Sequence, residues 1–181
     1  MIVGHYASAL VAKRQEPRLP LWVYLSAAMS LDAVMIGLVF GGVEQLEPGN
    51  PEAPKLHEMM IDMTYSHDLL PVALWTLLAA GTAFLGTRSL SASLWIGALV
   101  GGHMVCDLLV GFYHFVWGPE SPRLGLGLYT NGPLAALALE LLFSLVCTWW
   151  FLRGTGASRG LQIALYGVMV LGCAVLLPYA L

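Results

Sequence analysis

Charged side chains are scarce in this sequence. Asp, Glu, Lys and Arg make up 10% of its 181 residues, where an ordinary soluble domain carries about a quarter. With 58% hydrophobic residues and a mean hydropathy of +0.75, that scarcity excludes a typical soluble domain and points to a membrane protein. The eight Lys and Arg residues are scattered and the net charge is only −3, so there is no basic stripe to bind nucleic acid. Cysteine is also sparse. Cys106, Cys147 and Cys173 form neither a CxxC pair nor a disulfide framework, and in apolar surroundings they read as small hydrophobes. The N-terminal run MIVGHYASALVAKR has no basic stretch ahead of its apolar residues, its first lysine being Lys13. It is therefore expected to be retained rather than cleaved as a signal peptide.

What the chain does have is long apolar runs. A membrane span needs about 20 mostly apolar residues, and five stretches qualify: 19–42, 68–87, 90–117, 132–152 and 160–181. Residues 2–12 are apolar but too short to span, and read as a short interfacial or partly inserted helix. Hydrocarbon cannot hydrogen-bond a peptide group, so spans must be helices or a closed barrel. Continuous Leu/Ala-rich runs are not the alternating ten-residue strands of a barrel. The expected fold is all-α: a polytopic transmembrane helical bundle of five spanning helices plus a short N-terminal helix, a single integral membrane domain over 1–181.

Basic residues set the expected orientation. Lys13, Arg14 and Arg18 precede the first run, Arg88 separates the second from the third, and Arg153 and Arg159 separate the fourth from the fifth. Alternating spans put all three junctions on one side. That side is predicted cytoplasmic, in a bacterial inner membrane, which leaves the acidic loop 43–66 and the C-terminus outside.

Ionisable residues inside spans are costly and mark function. Here they are Asp32 in the first run, His67 and Asp68 opening the second, His103, Asp107 and His114 in the third, and Glu140 in the fourth, with Asn131 just before it and His5 in the N-terminal piece. On a helix, His103 and Asp107 share a face at i,i+4 spacing. His114, seven residues after Asp107, shares that face about 16 Å beyond His103, too far to share one ion. Asp32 and His103 fall at similar depths, so the groups can converge in the outer half of a bundle around a polar cavity.

Imidazole and carboxylate suit Zn²⁺ and related divalent ions. An ion with an open position would activate water, with Asp68 or Glu140 as general base and His114 protonating a leaving group. Bland readings stand beside these. A His-x-x-x-Asp pair can simply lock two helices together. Asp68 can favour a helix dipole, Ser66 can be an N-cap, Glu140 can be a protonated hydrogen-bond donor, and His5 alone reads as structural. Haem needs a second deep histidine that is not evident, and the run HEMMIDMTYSH (57–67) mixes Met and His as a soft copper site would.

The segments GHYASALVAKR, SLDAV, YSHDLL, GGHMVCDLL and LGLGLYTNGPLAALALELL, in this order, give the chain over residues 3–153 a resemblance to bacterial membrane-bound metal-dependent hydrolases. That group is similar to the inner-membrane-associated hydrolases described as LexA-binding. The resemblance implies metal ligands at His5, Asp32, His67 (beside Ser66), His103 and Asp107. The family's Pro-Asp-x-Asp element here reads Ser30-Leu31-Asp32-Ala33, one carboxylate short, which weighs against two metals. The expected function is a metal-dependent hydrolase acting on a membrane lipid or lipid-linked ester or phosphoester near the outer half of the bilayer. The competing expectation is a non-enzymatic subunit of a homo-oligomer or membrane complex, its polar residues locking helices together. A small transporter is a third option, but five spans show no paired broken helices.

Overall fold

The apolar runs become helices in a computed structural model that describes residues 1–181. In chain order these are α1 (Ile2–Gln15), α2 (Leu21–Ala28), α3 (Ser30–Phe40), α4 (Leu69–Thr87), α5 (Leu90–Val110), α6 (Leu128–Asn131), α7 (Pro133–Leu152) and α8 (Arg159–Ala180). Local chemistry sets the ends. The Ser89 and Ser158 hydroxyls accept the N–H groups of Ala92 and Leu161, both at 3.3 Å, capping α5 and α8. Pro133 starts α7, where its missing N–H costs nothing. Helices α4, α5, α7 and α8 are each long and apolar enough to cross a membrane, and the α2–α3 pair makes a fifth candidate if counted as one span. Most of α4 and α8 is left uncovered by protein. Their exposed Leu, Ile and Val side chains suit hydrocarbon rather than water.

Three features depart from the sequence expectation. The first run is not one straight helix. It breaks at Met29, and α2 and α3 meet at a 53° bend. Side chains serve the carbonyls there: Ser30 Oγ donates to Ala27 O at 2.9 Å and His103 Nδ1 to Ala28 O at 2.7 Å. A kink made by partners on another helix leaves no proline or glycine as a signal.

The third run does not continue as helix to residue 117. Helix α5 ends at Val110, and the chain turns into an antiparallel ribbon, β3 (His114–Phe115) with β4 (Arg123–Leu124). The Asp68 carboxylate holds this ribbon by accepting Phe115 N at 2.9 Å and Gly118 N at 2.6 Å. At Gly127 the backbone is left-handed (φ 57°), and a β-carbon would collide with the Tyr113 ring, so glycine is required there. His114 is therefore not on the helical face of His103 and Asp107.

The third departure is α1, expected to be interfacial or partly inserted, which lies inside the bundle rather than along its surface. It is packed among α2, α5, α7 and α8, with Ala7, Ala9 and Ala12 fully buried. Small residues let neighbouring backbones come close. Its first N–H groups, those of Val3 and Gly4, are accepted by Glu140 Oε1, and Tyr129 OH donates to Glu140 Oε2 at 2.7 Å. This satisfies orphan donors that a buried helix start cannot give to water. Burial, followed by the neighbouring Glu140 carboxylate, raises the Tyr129 phenol pKa far above its ordinary value, so it remains a donor.

The acidic loop forms a second antiparallel ribbon, β1 (Gln45–Glu47) with β2 (Met60–Asp62), and one turn of 3-10 helix at Leu56–Glu58 that buries Leu56. Outside the helices, backbone groups need partners of their own, which is why ribbons occur in a chain expected to be purely helical.

Replacing Glu140 by Ala strands the N–H of Val3 and the hydroxyl of Tyr129 in the interior. Thermal unfolding in detergent should show a loss of about 2–4 kcal/mol, since each buried unsatisfied polar group costs roughly 1–3 kcal/mol. A melting temperature within error of wild type would refute this anchoring role.

Candidate metal centre

Five donor residues meet beside the bend. Helix α1 delivers His5, and α3 delivers Asp32 two residues after it starts. The residues before α4 bring His67, and α5 brings His103 and Asp107 one turn apart. His67 Nε2 lies 3.3 Å from His103 Nε2 and 3.5 Å from Asp32 Oδ1. His103 Nε2 is 3.6 Å from Asp32 Oδ1 and 3.3 Å from Asp107 Oδ2, and His67 Nε2 is 3.9 Å from the same Asp107 oxygen. His5 Nε2 lies 3.2 Å from Asp107 Oδ1, which also meets the Met1 amino group. The His5 ring stacks on that of His103, with 3.5 Å between centroids. His5, His67 and His103 are all 2% exposed.

The other ring nitrogens decide what these atoms can do. His103 Nδ1 faces a carbonyl, which only accepts, so in a neutral ring Nδ1 carries the hydrogen and Nε2 a lone pair. His67 Nδ1 sits 2.8 Å from Ser66 Oγ, and that hydroxyl donates its one hydrogen to Glu44 Oε2 at 2.8 Å. The hydroxyl must then accept from His67 Nδ1–H, which leaves a lone pair on His67 Nε2 as well. With both rings neutral, two imidazole lone pairs face each other at 3.3 Å between the Asp32 and Asp107 carboxylates. Such a buried cluster of acceptors calls for a cation.

The spacing fits one. A tetrahedron's edge is 1.63 times its bond, so Zn–N and Zn–O bonds of about 2.0–2.1 Å place ligand atoms about 3.3–3.4 Å apart. The separations of His67 and His103 from each other and from the Asp32 and Asp107 carboxylates run from 3.3 to 3.9 Å. The cluster could hold a metal ion in two overlapping sets, Asp32–His67–His103 and His5–His103–Asp107. The supporting contacts are those that commonly orient metal ligands: an Nδ1–H to a backbone carbonyl, and a histidine–serine–carboxylate relay.

The remaining candidates are placed differently. His114 is 2% exposed and stacks on His67 with 5.9 Å between centroids, and neither ring nitrogen has a partner. Burial pushes its pKa down to about 4. It lines a cavity of ≈ 190 Å³ together with Asp32, His67 and Asp107. The rest of that wall is mainly apolar, including Met35, Leu46, Met59, Ile61 and Met63. Asp68 and Glu140 are not brought into the cluster, since both hold backbone N–H groups elsewhere. Asn131 is exposed and bonded to Tyr113 and Leu126.

Glu44 is the participant that sequence reasoning missed. It is one of several acids in a loop, yet it is 2% exposed and also accepts the N–H groups of Tyr65 and Ser66, both at 2.8 Å. The carbonyl of Ala28 was equally invisible. Compared with known protein families, curated proteins and solved structures, the chain matches none.

His103→Ala should abolish stoichiometric metal binding in detergent-purified protein. Glu44→Gln and Ser66→Ala should each weaken it by ~10–100-fold, the usual effect of losing an outer-shell partner. Chelator competition measures both effects, and wild-type affinity in Glu44→Gln would disprove the relay.

Proposed function

We propose that the chain is a polytopic membrane protein of five spans, α2–α3 forming one broken span, that holds a divalent ion and hydrolyses an ester of a lipid or lipid-linked molecule. Zinc is the foremost candidate ion. The observation that carries this reading is two overlapping sets of buried His and Asp donors, Asp32–His67–His103 and His5–His103–Asp107, each close enough to share an ion, next to a cavity.

A divalent ion bound there supplies Lewis acidity and water activation. The chain's own residues do the rest. Ser66 and Glu44 hold the His67 ring, the Ala28 carbonyl holds that of His103, and His5 holds Asp107. Asp32, whose side chain is 26% exposed, is the donor most open to the cavity. His114 is neutral at pH 7 and offers one N–H and one lone pair to an oxygen of the substrate or its leaving group. Asp68 and Glu140, the carboxylates first considered as general base, are held by backbone partners, so proton exchange falls to His114. The apolar cavity wall suits a lipid's carbon skeleton. The cavity also lies at the end of the helices opposite the basic junctions, which the positive-inside rule assigns to the outside of a bacterial inner membrane.

One observation favours a second reading. Five protein donors crowd the cluster, and a coordination shell filled by protein alone is the mark of structural zinc sites. The ion would then staple α3, α5 and the start of α4, in a membrane subunit with no catalysis of its own.

His114→Asn separates the two. Under the hydrolase reading, kcat on fluorogenic carboxylic and phosphoric esters of lipids falls by roughly 10²–10⁴-fold, the usual share of a general acid–base group, while metal content stays at wild-type level. Absence of turnover in the metal-loaded wild type on every ester class leaves the structural reading. Under either reading protons compete with the ion for its ligands. Affinity should therefore fall as pH is lowered, as metal titrations at several pH values would show.

A further inference from the structure

At the far end of the bundle from the metal centre, Arg14 on α1 and Arg153 after α7 each lie over a tryptophan. The Arg14 guanidinium is 5.1 Å from the Trp150 ring and that of Arg153 is 4.5 Å from Trp149. The two arginines are neighbours, since a β-carbon on Gly154 would lie 3.9 Å from Arg14 Nη2. Neither has a carboxylate partner. Arg18, also at this end, does, pairing with Glu16 at 3.4 Å. Arg14 Nη1 is buried and makes no hydrogen bond, an unusual state for a group that is always charged.

An apolar groove leads away from this pair. Val11 of α1, Trp95 and Leu99 of α5, and Phe143 and Cys147 of α7 wall a cleft of ≈ 270 Å³. It adjoins a second cleft of ≈ 420 Å³ along α5, from Leu90 to Ala98, with Trp95 and Ala98 common to both. Residues 90–99 of a helix extend about 14 Å. Val11 precedes Arg14, and Cys147 precedes Trp150, by three residues, so the groove stops about one helical turn short of the guanidinium pair.

We propose that this groove binds one anionic phospholipid, its acyl chain along α5 and its phosphate on Arg14 and Arg153. Charge complementarity selects the occupant. A half-buried guanidinium with one buried, unbonded nitrogen lies about one turn beyond the end of an apolar cleft, and a phospholipid supplies an apolar chain joined to a phosphate that Arg can grip. The tryptophans place the pair at the membrane interface, on the basic side, where the leaflet is anionic. None of this rests on the metal reading.

Native mass spectrometry after reconstitution in equal parts phosphatidylglycerol and phosphatidylcholine tests it, with metal content measured alongside. Wild type should retain one phosphatidylglycerol in preference. Arg14→Gln and Arg153→Gln should each cut that preference about fivefold, the value of one basic residue near an anionic surface, with metal content unchanged. Ala98→Trp, at an exposed position facing the groove, should abolish retention of either lipid. Because that variant could fail to fold, a thermal shift of the wild type by phosphatidylglycerol, absent with phosphatidylcholine, serves as the second readout. Equal retention of the two lipids, a preference that survives both arginine substitutions, or an equal thermal shift from inorganic phosphate alone would overturn the proposal.

Discussion

Two histidine nitrogens meet at 3.3 Å between carboxylates in an apolar interior, and much of the surrounding structure serves to hold that contact. The helices cannot simply move apart, because each ring is tethered from behind. The Ala28 carbonyl, at the bend between α2 and α3, takes His103 Nδ1–H. Ser66 and Glu44 take the corresponding group of His67. The bend, the buried acid of the outer loop and the approach of α4 to α5 are thus parts of one electrostatic arrangement. A cation among Asp32, His67, His103 and Asp107 converts its repulsions into bonds.

The same constraint explains the unusual position of α1. A helix of 14 residues is too short to cross a bilayer alone, yet it occupies the centre of the packing and carries His5 to Asp107. Its buried start is sustained by Glu140, which accepts N–H groups that water would otherwise have to serve. Glu140 and Asp68 thereby illustrate a general point about buried carboxylates. Their charge and depth make them resemble catalytic groups, but only their partners tell catalysis from scaffolding. Asp68 fastens the ribbon that folds His114 back over His67, so its contribution to the site is positional.

The two ends of the molecule solve opposite electrostatic problems. One end concentrates buried His and Asp donors that could hold a positive ion. The other leaves an arginine pair without carboxylate partners near an apolar groove. Between them lie helices whose outward faces carry almost nothing but hydrocarbon, so polar chemistry is confined to the two ends and the buried cluster.

Composition and run length by themselves determined that the chain is helical and apolar enough for four to five membrane crossings, because hydrocarbon leaves the backbone no other way to satisfy its hydrogen bonds. The rarity of charge also made His5, Asp32, His67, His103 and Asp107 conspicuous, and i,i+4 spacing put His103 and Asp107 on one face. Tertiary structure decided the rest. It broke the first span at Met29, where hydrogen bonds from Ser30 and His103 replace the regular pattern without a local signature. It ended α5 at Val110 and moved His114 off the helical face on which periodicity had placed it. It singled out Glu44 among loop acids of identical chemistry and took Asp68 and Glu140 away from the cluster. Helical periodicity depends on neighbours in sequence, whereas the direction of a lone pair depends on atoms brought from across the fold.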